Sequence, residues 1–81
     1  MKYNELDLKK IFAKIFKVNI KLVNKDFSIN KINKWDSLNH LRLILEIEHF
    51  FDISFDEKVV AKLLSYNLIK LELEKLKIRF I

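Results

Sequence analysis

Trp35-Asp36-Ser37-Leu38-Asn39-His40-Leu41-Arg42-Leu43-Ile44-Leu45-Glu46-Ile47-Glu48-His49-Phe50-Phe51 is the stretch in which helical periodicity is best defined. Asp36 or Ser37 can cap its start, and Asp52-Ile53-Ser54 breaks the pattern at its end. At about 100° per residue, Asn39, Arg42, Glu46 and His49 gather on one narrow polar strip, with Leu43, Ile44, Ile47, Phe50 and Phe51 roughly opposite as core. Leu38, Leu41 and Leu45 form a separate apolar shoulder beside the strip. The apolar arc is therefore wider than the roughly 100° that a surface helix needs. Either this helix is buried nearly all round, or the shoulder is kept for a partner.

Upstream, Leu8, Ile11, Phe12, Ile15 and Phe16 recur at helical spacing after Asn4, a good cap, and the acidic Glu5 and Asp7 suit the positive end of a helix. A first helix is predicted from about Glu5 to Lys17. From Val18 to Lys34 the period fails, which predicts a long loop whose Leu22, Phe27, Ile29 and Ile32 pack down. Downstream, a short helix is predicted from Asp56 to about Lys62. Ser65 can cap a last helix through about Lys77, carrying Leu68, Ile69, Leu71, Leu73 and Leu76. The tail from Ile78 to Ile81 is apolar enough to dock but has no usable period. The sum is an all-α, small four-helix bundle with three main helices, one short third helix and a long loop between the first two.

Composition narrows the chemistry. With 81 residues, half of them apolar, the chain supports one domain over 1–81 and can fold without a staple. The absence of Cys removes thiolate mechanisms and zinc knuckles, so any thiol chemistry must come from an attached group. Without Gly there is no phosphate-cradling glycine loop. No apolar run is long enough for a signal peptide or membrane span, and the chain reads as cytoplasmic. The net charge of +5 is uneven: residues 1–34 carry +6, residues 35–60 carry −4 and residues 61–81 carry +3. An acidic middle is awkward for a surface that tracks phosphates. Neither His40 nor His49 is paired with a nucleophile at interpretable spacing, and no set of base, nucleophile and oxyanion donor can be assembled. The chain therefore reads as a non-enzyme.

The run WDSLNHLRLILEIEHFF, followed by Asp52-Ile53-Ser54-Phe55, resembles the acyl carrier protein family, in which Asp-Ser-Leu opens the second helix. Overall length, the long first loop and the short third helix are also similar, so the resemblance covers nearly the whole chain. It implies that Ser37 is esterified by 4'-phosphopantetheine from coenzyme A, the terminal thiol then holding an acyl or aminoacyl group as a thioester. A helix start, with its free N–H groups and positive dipole end, is compatible with a phosphodiester there. For Asp36 the resemblance implies recognition by the modifying transferase, and a simple cap is the alternative. Trp35 stands where many members have Gly, and its expected role is to anchor the loop on the core.

The implied partners are a phosphopantetheinyl transferase, an acyl- or aminoacyl-loading ligase and an acceptor transferase, with no nucleic acid. The family uses acidic residues of the second helix to meet basic patches on its enzymes. Asp36, Glu46 and Glu48 fit, and with Leu38, Leu41 and Leu45 the residue Glu48 is the expected docking set. Asn39, Arg42, His49 and the basic ends depart from the pattern, which points to a dedicated pathway such as surface-sugar or specialised-metabolite modification. The competing reading is a small basic helical nucleic-acid-binding domain, resting on the Lys-rich first 34 residues, or a scaffold domain, resting on Leu38, Leu41 and Leu45 as an exposed patch.

Overall fold

The computed structural model describes residues 2–81. Four helices account for the fold: α1 (Glu5–Phe16), α2 (Ser37–Phe51), α3 (Glu57–Val60) and α4 (Tyr66–Lys75). Their starts follow the sequence. Side-chain oxygens of Asn4, Asp36, Asp56 and Ser65 each accept from a backbone N–H two or three residues on, so every helix is capped by the residue just before it. The ends are less usual. Left-handed backbone at a helix end favours glycine, and this chain has none. Lys17 and Asp52 take that conformation instead, at φ 55° and 54°, and the Asp52 N–H closes onto the Glu48 carbonyl.

The core is one cluster. Leu8, Ile11, Phe12 and Phe16 of α1 meet Leu43, Ile44, Ile47 and Phe51 of α2, and Tyr66, Ile69 and Leu73 of α4 close the third side. At α4 the spacing i, i+3, i+7 selects the buried face, leaving Leu68, Leu71 and Leu76 exposed.

The connection between α1 and α2 is a loop with a single 3-10 turn at Ile20–Leu22. Val23, Phe27 and Trp35 are the residues it buries, and Ile29 and Ile32 pack partly against the core. Leu22, expected to pack down, is instead 59 % exposed while Val23 is 1 % exposed. The tight turn, closed by the Val23 N–H on the Ile20 carbonyl at 3.0 Å, rotates the inward position one residue onward. The loop is also stitched to the junction of α3 and α4: the Ile29 N–H donates to the Leu64 carbonyl at 3.0 Å and the Tyr66 N–H to the Phe27 carbonyl at 2.9 Å.

The tail has an order that periodicity did not reveal. Arg79–Phe80 (β2) pairs in parallel with Lys2–Tyr3 (β1), bringing the two chain ends together beside the end of α2. This contact explains a second departure. Phe50, expected in the core, is 45 % exposed, with its ring 5.9 Å from Tyr3 and 4.9 Å from Phe51. Phe51 fills the core position and meets both Tyr3 and Phe80, and Phe50 lies outside it against Tyr3. No helix among the described residues is long and apolar enough to cross a membrane.

Candidate functional site

The start of α2 is held from three sides. Trp35 is buried and lies with its indole among Phe12, Phe16 and Phe27, ring centroids 5.0 to 6.0 Å away, so the long loop is pinned to the core just before the helix begins. Its N–H donates to Nδ1 of His40 at 2.9 Å, and Nε2 of His40 lies 2.9 Å from the Val60 carbonyl. The tautomer with its proton on Nε2 satisfies both bonds. His40 thus ties the first turn of α2 to the end of α3. Periodicity assigns His40 no role, because Val60 is twenty residues away in the chain.

Asp36 is the cap. Its Oδ1 accepts the Asn39 N–H at 2.8 Å, and Asn39 Nδ2 in turn donates to the Lys34 carbonyl at 2.8 Å. Ser37 is the first residue of α2 and is exposed, and its hydroxyl stands outside the capping bond. The first N–H groups of a helix have no partner within it, and the helix dipole places partial positive charge there. An exposed hydroxyl at that position fits a phosphodiester.

Along α2 from the residue after Ser37, Leu38, Leu41 and Leu45 are 57 %, 52 % and 56 % exposed. Of the two possibilities for the wide apolar arc, burial all round is therefore excluded. Glu48 borders this strip on the α3 side and is partly buried, because its Oε2 accepts the Phe55 N–H at 2.7 Å and so organises the turn after α2. Glu46 lies on the α1 side in an ion pair with Lys14 at 2.8 Å, and that hydrogen bond, with the lysine charge, holds its carboxyl below the usual carboxylate range. The structure thus brings Asp36, Ser37 and the three leucines together on one exposed end and side of α2, and places Glu48 at its margin.

Sequence reasoning also missed a cluster of cations. Lys17, at the end of α1, Lys34, before α2, and Arg42 line a concavity of about 310 Å³ together with Ile15, Phe16 and Asn39. No signal in the sequence links these positions. Among the described residues no group of three or more acidic or histidine side chains is arranged to hold a metal ion.

Among solved structures, the chain is similar to the solution NMR structure of a holo acyl carrier protein from Geobacter metallireducens. Identity is 31 %, the match covers 89 % of this chain and 90 % of that one, and the TM-score is 0.68. No family model matches the chain, and no curated protein does.

Proposed function

The chain belongs to the acyl carrier protein family, and from that premise we propose that it holds an acyl or aminoacyl group as a thioester on a 4'-phosphopantetheine arm attached to Ser37. A carrier role in general follows from the family; the attachment residue, the cargo and the partners are the proposal. The observation that supports it most is the exposed hydroxyl of Ser37 at the start of the longest helix, freed from capping by Asp36. When attached, the arm supplies the thiol that this Cys-free chain lacks.

The chain's own residues do the presenting. Asp36 fixes the first turn, Trp35 and His40 fix that turn on the core and on α3, and Ser37 is left projecting. Leu38, Leu41, Leu45 and Glu48 form the surface on which enzymes dock, and Asp36 is read by the transferase that attaches the arm. The partners are that phosphopantetheinyl transferase, a loading ligase and an acceptor transferase, acting with a single cytoplasmic carrier domain over residues 1–81 that is not itself an enzyme.

Intact mass after incubation with coenzyme A and a broad-specificity phosphopantetheinyl transferase tests the reading. One arm per chain is expected on the wild type and none on Ser37→Ala. A wild-type chain that never gains the arm, or a Ser37→Ala chain that still gains it, refutes the assignment.

A further inference from the structure

The docking surface is bounded by opposite charges, and this bears on what can sit on it. On its α3 side lies Glu48, with Asp36 at the start of the helix. On its α1 side lie Lys17, Lys34 and Arg42 around the concavity of about 310 Å³. These three cations have no carboxylate partner among the described residues, whose ion pairs are Lys14 with Glu46, Lys70 with Glu5, and Lys75 with Glu72. The backbone that carries them is fixed. Lys17 closes α1 in the left-handed conformation, the Lys34 carbonyl is held by Asn39, and Arg42 stands within the second turn of α2.

An enzyme that covers Leu38, Leu41 and Leu45 also strips water from this rim. Cations desolvated without a counter-charge oppose binding, whereas matched carboxylates speed encounter and fix orientation. Resting on the carrier reading, we infer that the loading enzyme of this chain presents an apolar cleft for the three leucines and a set of carboxylates that face Lys17, Lys34 and Arg42. The occupant is a protein rather than a phosphate backbone or lipid headgroup, because Arg42 shares α2 with the three exposed leucines and Glu48, and Asp36 stands at the start of the same helix. The bipolar border sets the enzyme's orientation: its carboxylates lie over the α1 edge and its cations over the α3 edge.

The test starts from chain carrying the arm, so that failure of modification is seen first by mass and removes the carrier reading and this inference together. A photoreactive residue at Leu41 then captures the loading enzyme in extract of the source cells, and the captured protein is identified by peptide mass spectrometry and expressed. With that enzyme, Arg42→Glu combined with Lys34→Glu should lower kcat/KM for loading about tenfold or more, mainly through KM and with a weaker salt dependence, while Lys10→Glu on α1 changes it less than about twofold. Arg42→Gln with Lys34→Gln, which adds no repulsion, should give a smaller fall in the same direction. Changing the facing carboxylates of the enzyme to Lys should restore loading of the Glu variant. Loading within about twofold of wild type for both double variants, or no carboxylate on the captured face, overturns the inference. So does loss of DNA or anionic-vesicle retention in the Glu variant with loading intact, which would assign the edge to phosphates.

Discussion

The indole N–H of Trp35 donates to Nδ1 of His40 at 2.9 Å, the two rings lying nearly coplanar edge to edge although five residues apart in sequence, and the far side of the same imidazole reaches the Val60 carbonyl. This single side chain couples the loop, α2 and α3. Replacing His40 by Phe leaves a buried indole N–H without its acceptor, which costs about 1–3 kcal/mol. The denaturant midpoint should fall accordingly, with Trp35 fluorescence as the probe. An unchanged midpoint would show that the relay is dispensable.

A second coupling ties α1 to α4. The Tyr66 hydroxyl donates to Glu5 at 2.6 Å, and Lys70 reaches the other oxygen at 3.2 Å. The Tyr66 bond, more than Lys70, lowers the Glu5 carboxyl below its ordinary value against the opposing effect of burial. Burial first, and then Glu5, raises the Tyr66 phenol. For a depressed carboxylate the stabilisation is present above the unfolded value, about 4.3, and is lost as pH falls through the folded one. For a raised phenol it is fully present below about 10 and is lost as pH climbs towards the folded value. Thermal melts across pH should therefore show a plateau falling at both ends. Tyr66→Phe should flatten the alkaline limb and cost about 1–2 kcal/mol near neutrality; a melt profile identical to wild type would remove this link from the fold's stability.

Because Asp36 carries the capping bond, the two neighbours at the start of α2 should separate cleanly. Asp36→Ala is expected to cost about 0.5–2 kcal/mol, whereas Ser37→Ala should leave circular dichroism and stability near wild type while losing the arm. Equal destabilisation by the two substitutions would mean that the cap is shared.

Leu45→Ala should barely shift stability, since Leu45 is already half in solvent, whereas Ile47→Ala or Phe51→Ala should cost about 2–5 kcal/mol. Loading should show the reverse order of sensitivity. The docking assignment fails if Leu45→Ala destabilises as much as Phe51→Ala.

Glu48 holds two roles that one substitution would confuse. Glu48→Gln keeps an acceptor for the Phe55 N–H and removes the charge, and Glu48→Lys removes both. Urea unfolding should find Glu48→Gln close to wild type and Glu48→Lys about 1–3 kcal/mol less stable. Slower loading by Glu48→Gln, together with intact stability, would place the charge itself in docking. Unaltered loading would reduce Glu48 to a residue of the turn.

Much of this was legible in the linear chain. The caps at Asn4 and Ser65 are read from polar residues standing before apolar periods, and the α2 cap is narrowed to Asp36 or Ser37, because capping is local, involving residues two or three apart. Asp56, read as the first residue of its helix, is instead the cap. The core face of α2 at Leu43, Ile44, Ile47 and Phe51, and the separateness of Leu38, Leu41 and Leu45, follow from helical geometry alone. Phe50 was misplaced because angle cannot say how far a core extends around a helix. That limit is set by what packs beside it, here the paired chain ends.

The sequence by itself determined the four helices, the caps at Asn4 and Ser65 and the resemblance that points to Ser37, since each depends on neighbours within a few residues. Only the tertiary structure decided that Asp36 and not Ser37 caps α2, that His40 bridges to Val60, that Glu48 serves the turn at Phe55, and that Lys17, Lys34 and Arg42 share one edge. The cap was a choice between two adjacent oxygens that backbone geometry alone resolves. The other three arise where packing or a chain reversal brings together groups that no single helix contains.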